Sequence, residues 1–411
     1  ASPLVVEPVE PVDAPEVAIV VPAYREGTHV GYVLRSVKGV RYPRDRLRLI
    51  IVGEADDPET YREVARYCTV DGTLLDCDGV RGLYLLNSSG RRGKPAALNF
   101  ALGYVDAEVV AFYDAEDTVH PDHVLIAVEL LKDPSVAAVQ FVREVAHGHG
   151  ALTGAQADDF HLYYRVVLPY LMRRVGLAEI CGSAFFVRAS YLRSVGGFNT
   201  DSPAEDLDLT YRLGARGLRV LLALPPSTTR PLASVAGLVK QRARWIRGGI
   251  LAIPVGLRAL PKSLPLLVLT GLMPLTAITT TVALVAGLAC AVLGPLDPAL
   301  VHLLYAGVAV CLAGVASLVL SLGRGGVARA VGYAALMSAV YYLACWRALL
   351  ELLLFPRTDV RKEAWLSVPK LVELGIITPE EVRERRYCLF PLLARDIDPM
   401  FLSLIHISEP T

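Results

Sequence analysis

The sequence predicts an α/β fold with a mainly parallel sheet, followed by an amphipathic interfacial helix and an α-helical transmembrane region. Between Val17 and about residue 230, short β-branched runs alternate with amphipathic stretches, a pattern typical of βαβ units. The composition is 53% hydrophobic and only 20% charged, with a mean hydropathy of +0.43, which is too apolar for an ordinary soluble protein. Long uncharged segments after residue 263 account for this excess.

The overall charge argues against a nucleic-acid partner. Lys plus Arg and Asp plus Glu balance at 41 each, so the 411-residue chain has no basic field, and no nucleic-acid motif is present. The seven cysteines form no CxxC pair, which favours a reducing compartment. Cys68 and Cys77 are close enough in sequence to pair, but we predict buried free thiols at both positions.

Both ends of the chain differ from the rest. Residues 1–16 are Pro-rich and predict a flexible leader. The chain starts without a methionine, so a further segment, even a membrane span, could precede it. Residues 402–411 break the local composition and look like a non-native tail, so they are excluded from the functional argument.

Five apolar runs predict the strands of the sheet. They are VAIVV (17–21), LRLIIV (47–52), GLYLL (82–86), VVAFY (109–113) and VAAVQF (136–141). The first, second and fourth runs end in the polar sequences PAYREG, GEADD and DAED. Because ligands bind at the carboxyl ends of parallel strands, we expect these polar ends to converge on one edge of a domain that covers residues 17–245.

The second half of the chain predicts membrane contact. Residues 246–263 mix apolar side chains with three basic ones, as in a helix that lies on a bilayer surface. About three spans follow within 264–356, at Leu264–Leu293, Ala299–Leu322 and Val331–Phe355. Three spans would put the basic tail, 357–401, on the side opposite the catalytic domain, so a split, re-entrant or upstream span remains an alternative.

The strand end at residues 114–117 carries three carboxylates. Asp114 and Glu116 are two positions apart, so an extended backbone directs both to the same side. Mg²⁺ or Mn²⁺ prefers a few carboxylates together with water and phosphate oxygens, so the pair could bridge a cation to a diphosphate. The alternative is a solvated acidic turn.

Three further blocks carry candidate functional residues. Lys94 begins a predicted helix after a Gly- and Arg-rich turn, where a phosphate is favoured. Glu205 and Asp206 open another helix, although acidic residues are also common there for capping alone. QRARW (241–245) stands just before the membrane candidates and could instead be a basic patch with an interfacial Trp.

Taken in order, these blocks resemble the membrane-bound family 2 glycosyltransferases of the GT-A fold, the group that contains cellulose, chitin and hyaluronan synthases. The sequences YDAED, KPAALN, EADD, AEDLDL and QRARW are most similar to XagB-type exopolysaccharide glycosyltransferases. The resemblance covers roughly residues 17–260, and beyond residue 264 only the hydropathy is similar. Five ordered motifs are specific as a set.

The resemblance implies catalytic and metal-binding roles. Asp114 and Glu116 match the metal-binding DxD motif, with Glu in the second place. Asp206 matches the general base that takes the acceptor proton, and Glu205 helps to hold the site. In the QxxRW motif, Gln241 is catalytic, Arg244 stabilises the leaving diphosphate, and Trp245 faces the acceptor sugar.

The resemblance also implies a nucleotide pocket and an acceptor channel. The acceptor residues are Cys181, Gly182 and Ser183 of ICGSAFF together with Trp245, and the alternative for this segment is a tight turn into a strand. Asp57 is an alternative to Asp56 as the residue that reads the base or ribose. The implied nucleotide-binding residues are Pro22, Tyr24, Glu26, Glu54, Asp56, Lys94 and Asp114.

The sequence thus leads to a specific functional expectation. We expect an inverting, metal-dependent hexosyltransferase that uses a UDP- or GDP-hexose, with Mg²⁺ or Mn²⁺ as cofactor, and extends a membrane-associated or exported polysaccharide. Its catalytic domain would be cytoplasmic and its anchor a multi-pass region in the lipid bilayer. The alternatives are transfer of one sugar to a lipid acceptor and a non-catalytic scaffold that binds nucleotide sugar. Donor, linkage and oligomeric state are left open.

Overall fold

The structure is a computed structural model of the 411-residue chain. It describes residues 2–11, 13–91, 93–146, 148, 150–293, 302 and 327–354. The second predicted span, apart from His302, and residues 355–411 with the predicted tails lie outside the described residues.

The described part of the chain contains one nine-stranded sheet. Its strands are β1 (Val17–Pro22), β2 (Leu47–Gly53), β3 (Thr69–Asp71), β4 (Leu74–Cys77), β5 (Val80–Leu86), β6 (Val109–Phe112), β7 (Val136–Val145), β8 (Phe185–Arg188) and β9 (Arg219–Thr229). They lie in the order β3-β4-β5-β2-β1-β6-β8-β7-β9. All five predicted strands are confirmed, whereas β3, β4, β8 and β9 were not predicted.

The sheet is mixed, so the prediction of a mainly parallel sheet is confirmed only in part. β1 is parallel to β2 and β6, β2 is parallel to β5, and β7 is parallel to β9. β8 is antiparallel to both of its neighbours, and β3, β4 and β5 form an antiparallel meander. In the meander the cause lies in the connections, because short turns without a crossover helix join β3 to β4 and β4 to β5.

Eleven α-helices are described, most of them between the strands. They are α1 (Val30–Val37), α2 (Pro58–Tyr67), α3 (Lys94–Leu102), α4 (His123–Leu130), α5 (Ala151–Leu162), α6 (Leu168–Val175), α7 (Ala189–Ser194), α8 (Glu205–Ala215), α9 (Val235–Arg258), α10 (Leu264–Leu293) and α11 (Val327–Leu354). Local sequence explains several starts. Asp57 caps α2 by accepting the Thr60 amide, with Pro58 as the first helical residue.

The core is built on the central strands. Every residue of β1 and β6 is buried, as expected for strands covered on both faces. The rings of Phe112 and Phe185 stack with centroids 5.0 Å apart, and Phe198 packs edge-on against Phe112 at the same separation. This aromatic cluster ties β6 to β8 directly beside the loops that follow them.

A disulfide joins Cys68 and Cys77, so the prediction of free thiols at these positions is wrong. The pairing of Thr69 with Asp76 in the β3–β4 hairpin places the two cysteines opposite each other on adjacent strands. Their Cα atoms are 4.3 Å apart, close to the spacing of directly opposed residues in an antiparallel pair. The register of the hairpin therefore brings the two cysteines close enough to bond. The prediction failed because the sequence analysis did not identify this hairpin.

The N-terminal leader lies against the sheet, which differs from the flexible segment that we expected. The Leu4 amide donates to the Leu222 carbonyl at 2.9 Å, and the Leu4 carbonyl accepts from the Leu224 amide at 2.9 Å. Leu4 and Val6 also pack on the core. The leader thus covers part of the edge of β9, with Leu4 and Val6 half-buried and Val5 between them 80% exposed.

Helices α9, α10 and α11 follow the sheet. The predicted interfacial segment, 246–263, is not a separate element, since α9 runs without a break from Val235 to Arg258. Among the described residues, Leu264–Ala283 and Val331–Leu354 are long and apolar enough to cross a membrane. With 30 residues, α10 would be about 45 Å long. Two apolar helices are therefore described where we expected about three spans.

Candidate active site

Strand register brings three loops to one edge of the sheet. Val20 of β1 pairs with Phe112 of β6, so the two parallel strands end side by side. Phe185, at the start of the antiparallel β8, pairs with Phe112 as well. The turn before β8 therefore lies beside the residues that follow β6. The Ser183 hydroxyl accepts a hydrogen bond from the Asp114 amide at 2.9 Å.

The third carboxylate of this loop, Asp117, is fully buried and paired. Arg143 of β7 donates from Nη2 to both Asp117 oxygens, at 2.7 and 3.0 Å. The Ser183 hydroxyl donates to Asp117 as well. The Asp117 side chain has 0% exposure and that of Arg143 has 9%. Asp117 thus fixes the loop after β6 to the turn before β8.

Asp114 is more accessible and is paired with Lys94. The Lys94 ammonium lies 2.5 Å from Asp114 Oδ1 and donates to the Gly182 carbonyl at 2.7 Å. The Asp114 side chain keeps 30% exposure. Burial would raise the pKa of Asp114, but the charges of Lys94 and Arg143 outweigh it and lower the pKa. Asp114 is therefore ionised and reachable.

The surroundings of Glu116 disfavour the ionised form of its carboxylate, which a nearby positive charge would stabilise. Burial and the charges of Asp117 and Asp114 raise the pKa of Glu116 to about 7. Among the described residues, no group of three or more His, Cys, Asp or Glu side chains could hold a metal ion by itself. Asp114 and Glu116 nevertheless fit Mg²⁺ or Mn²⁺, since these ions bind through one or two carboxylates and take other ligands from phosphate and water.

A second acidic pair opens α8 and faces the same site. Asp206 accepts the Leu207 amide at 2.8 Å. A Cβ atom added to Gly182 would lie 2.9 Å from Asp206 Oδ2 and 3.5 Å from Lys94 Nζ, so Asp206, Gly182 and Lys94 are packed together. Burial raises the pKa of Asp206, and burial with the Asp206 charge raises the pKa of Glu205 to about 7.

Gln140 of β7 stabilises the turn that contains Cys181, Gly182 and Ser183 by hydrogen bonds to its backbone. Gln140 is fully buried, accepts the Cys181 amide at 2.8 Å and donates to the Ser183 carbonyl at 2.9 Å. Gly182 has φ +78°, a conformation that favours glycine. The segment is thus a tight turn into a strand, and it also forms a wall of the site.

Glu179 is a further acidic residue at this wall, and sequence reasoning missed it. It accepts a hydrogen bond from the Tyr163 hydroxyl. Burial raises the pKa of Glu179 to about 8, with a contribution from the Asp206 charge, so Glu179 is largely protonated at pH 7. Its only sequence signal was its position two residues before Cys181.

The QRARW segment lies on α9. Arg244 is exposed and Trp245 is 40% exposed, whereas Arg242 is 1% exposed. The Gln241 side chain accepts from Arg242 Nη1 at 2.6 Å. Burial raises the pKa of Asp206, whereas the hydrogen bond from the Leu207 amide and the charges of Lys94 and Arg244 act to lower it.

The residues expected to bind nucleotide gather where β1 and β2 end. The Tyr24 hydroxyl donates to the Asp56 carboxylate at 3.3 Å, and the side-chain amide of Asn87 donates to the Glu54 carboxylate at 2.7 Å. Pro22 ends β1, and the Glu26 amide donates to the Thr60 hydroxyl at 3.0 Å.

Asp57, the alternative to Asp56, has a structural role. It caps α2 and accepts the Arg25 amide, and it is 5% exposed. Asp56 is therefore the better candidate for contact with a ligand.

Comparison with known sequences gives one family. The sequence model of the family described as glycosyltransferase like family 2 matches residues 14–248. A similar protein is the β-monoglucosyldiacylglycerol synthase of Synechocystis sp., 29% identical over 264 residues that cover 61% of this chain and 51% of the relative. Another is the UDP-forming cellulose synthase catalytic subunit of Pseudomonas fluorescens, 26% identical over 58% of this chain and 32% of the relative. The chain spans about half the length of the first of these relatives and about a third of the length of the second.

Comparison with solved structures supports the fold. The mannosyltransferase PcManGT from Pyrobaculum calidifontis, solved in complex with GDP-Man and Mn²⁺, aligns with a TM-score of 0.52 and 21% identity. The alignment covers 83% of this chain and 89% of that protein. At this identity the likeness concerns the fold alone, and it agrees with the expected GT-A architecture.

Proposed function

Because this chain belongs to the glycosyltransferase like family 2, we propose that it is an inverting glycosyltransferase that moves a hexose from a nucleoside diphosphate sugar to an acceptor hydroxyl. The observation that carries the proposal is the packing of Asp206, Lys94 and Gly182 beside Asp114. One lysine lies between two sets of carboxylates, as a site for a sugar diphosphate and an incoming hydroxyl would require.

Asp206 is the proposed general base. A hydroxyl that attacks the anomeric carbon has to lose its proton, and a positioned carboxylate can accept it. Burial raises the pKa of Asp206, which increases its affinity for that proton. One base is sufficient for a single displacement with inversion, because the reaction needs no enzyme nucleophile.

Asp114 and Glu116 are the proposed holders of a divalent cation, Mg²⁺ or Mn²⁺. Bound there, the ion would neutralise charge on the diphosphate as it departs. Arg244 is exposed on α9 and would bind the same leaving group, while Pro22, Tyr24, Glu26, Glu54 and Asp56 would surround the nucleoside. Trp245, Cys181, Gly182 and Ser183 would line the acceptor side.

The proposed acceptor is a growing polysaccharide that is associated with the membrane or exported. Support comes from the two apolar helices and from the similarity to a cellulose synthase subunit. The second candidate is a lipid that receives a single sugar. Its support is the similarity to a β-monoglucosyldiacylglycerol synthase and the exposed apolar side chains Leu251, Leu264 and Val268, which follow Trp245 along α9 and α10.

Product analysis separates these candidates. The purified chain, in detergent or in vesicles, is incubated with labelled UDP-glucose, UDP-N-acetylglucosamine or GDP-mannose and Mn²⁺. A ladder of labelled polymer supports polysaccharide synthesis, whereas one product that partitions into organic solvent supports the lipid acceptor. If no donor gives a product under any of these conditions while nucleotide still binds, the protein is a binding scaffold and the transferase proposal fails.

A further inference from the structure

We infer that Arg242 is a positioning residue, which holds Gln241 and Trp245 in place and is itself set by the apolar helix α11 through Asp159 and Tyr341. The inference rests on the proposed function, since it assigns the acceptor wall of that site. Among the residues that the structure describes, Arg242 is the largest of the fully buried side chains, with 1% exposure, in a segment whose neighbours Arg244 and Trp245 are exposed.

The buried charge of Arg242 is balanced on one side by α5 and α11. Arg242 Nη2 lies 2.8 Å from Asp159 Oδ2 on α5. The Tyr341 hydroxyl on α11 donates to the same carboxylate, 3.2 Å from each oxygen. A buried guanidinium without such partners would cost several kcal/mol. The position of Arg242 therefore depends on both helices.

The other side of the guanidinium faces the proposed acceptor wall. Arg242 Nη1 donates to the Gln241 side chain at 2.6 Å. The guanidinium carbon lies 4.0 Å from the centroid of the Trp245 ring, within the range of a cation–π contact. Trp245 remains 40% exposed, so the indole is held by Arg242 while part of it stays open to a ligand.

Close packing joins α11 to this arrangement along its length. A Cβ atom on Gly154 of α5 would lie 2.4 Å from the Tyr333 ring, so the two helices approach closely only because residue 154 is a glycine. Leu238 of α9 packs with Met337 and Val340 of α11 in one apolar cluster. A shift of α11 would consequently move Asp159 or break its contact with Tyr341, and Trp245 would lose its support.

Lysine cannot replace arginine in this role. Arg242 uses two different nitrogens for Asp159 and Gln241 and a planar face for Trp245, whereas an ammonium group offers a single point charge and no planar surface. Arg242→Lys keeps the charge opposite Asp159 and therefore separates positioning from simple charge balance.

The test compares Arg242→Lys and Tyr341→Phe with a matched control, Tyr342→Phe. The Tyr342 hydroxyl is paired with Thr281 at 2.7 Å, outside the Arg242 cluster. In the transfer assay we expect Arg242→Lys to raise the acceptor KM about tenfold and Tyr341→Phe to raise it about threefold, with the donor KM unchanged. The control should match the parent protein.

A second readout does not depend on catalysis. With Trp346→Phe and Trp365→Phe as background, Trp245 alone reports, and its acrylamide quenching should increase in Arg242→Lys and Tyr341→Phe but not in Tyr342→Phe. If Arg242→Lys leaves both quenching and acceptor KM at control values, the inference is overturned. If the parent protein transfers no sugar, the proposed function fails, and quenching alone then decides whether Arg242 positions Trp245.

Discussion

At the scale of single residues, the two aspartates of the loop after β6 have opposite environments. Asp117 has 0% side-chain exposure and is bound by Arg143, whereas Asp114 keeps 30% exposure and is bound by Lys94 at the edge of the site. Their three-residue separation hides this difference in the sequence. From this difference in environment we predict that Asp117 stabilises the fold and that Asp114 serves the reaction.

Substitution of each aspartate tests this division. Asp117→Asn removes the nearer counter-charge of the buried Arg143 and leaves only Asp114, whose Oδ2 is 3.9 Å from Arg143 Nη2, so we expect the unfolding free energy to fall by about 3–5 kcal/mol. Asp114→Asn should cost much less stability but abolish sugar transfer. Thermal unfolding in detergent and a transfer assay measure the two effects. A stable but inactive Asp117→Asn would instead make Asp117 a ligand of the substrate or metal.

The raised pKa of Glu179 leads us to expect that the stability of the folded protein depends on pH. Burial raises its pKa from 4.5 to about 8 in the folded protein, so between these values the folded state binds more protons than the unfolded state. The contribution of Glu179 to stability is therefore fully present below about pH 4.5 and is lost as the pH rises through about 8.

Glu179→Gln removes this titration. Relative to the parent protein, the variant should gain stability between pH 5 and pH 8, on the order of 1 kcal/mol after allowance for solvent screening. Glu129→Gln on α4 is the matched control, because Glu129 pairs with Lys132 on the surface. Melting temperatures measured across this pH range decide the point, and parallel curves for Glu179→Gln and the parent would contradict it.

The candidate residues that sequence could reveal are those in short motifs. Asp114, Glu116, Glu205 and Asp206 follow recognisable strand and helix boundaries, and the structure brings Asp114 and Asp206 to one lysine. Arg143, Gln140 and Glu179 were missed because their roles depend on contacts between distant positions. Arg143 meets Asp117 across 26 residues, and Gln140 meets Cys181 across 41.

At the scale of elements, the β3–β4 hairpin is stapled at a sheet edge away from the site. The Cys68–Cys77 disulfide closes a separation of nine residues, which in the chain-entropy account contributes about 2.6 kcal/mol. The strands that lead to the site, β2, β1, β6 and β8, lie three or more places from β3 in the sheet order. Loss of the bond should therefore affect stability more than catalysis.

Reduction of the disulfide checks this expectation. We predict that dithiothreitol lowers the melting temperature by several degrees and leaves the rate of sugar transfer within about twofold. The double variant Cys68→Ser with Cys77→Ser should melt near the reduced form and not respond to the reductant. A loss of transfer on reduction that the untreated double variant does not show would point to a different disulfide.

Elements differ in how well their sequences predict them. β1, β2 and β6 were predicted because their apolar runs are buried on both faces. β8 was missed because it has only four residues and becomes a strand through its antiparallel pairing with β6 and β7, which are distant in sequence. The extent of α9 was missed because its amphipathic pattern after residue 245 was read as a separate surface helix, while its first two turns pack on α11.

At the scale of the whole molecule, α10 and α11 are candidates for contact with lipid. Leu275, near the middle of Leu264–Ala283, is 53% exposed. A charged residue at the centre of a membrane helix costs about 2.5–3.5 kcal/mol on insertion scales, so Leu275→Arg should reduce the fraction of protein in carbonate-washed membranes.

A matched leucine provides the control. Leu74 of β4 is 63% exposed but belongs to the sheet domain, so Leu74→Arg should leave membrane recovery unchanged. Equal recovery of the two variants would mean that Leu275 does not lie in a bilayer, and the membrane part of the account would need revision.

In the proposed reaction, Asp206 takes a proton from the acceptor while Asp114 and Glu116 hold the donor end of the site. The most direct measurement compares Asp206→Asn with the parent protein for both nucleotide-sugar binding and transfer, in the presence of Mn²⁺. We predict unchanged binding and a transfer rate that falls by about 10²–10⁴-fold. A variant that transfers sugar at the parent rate would contradict the assignment of the base and the mechanism built on it.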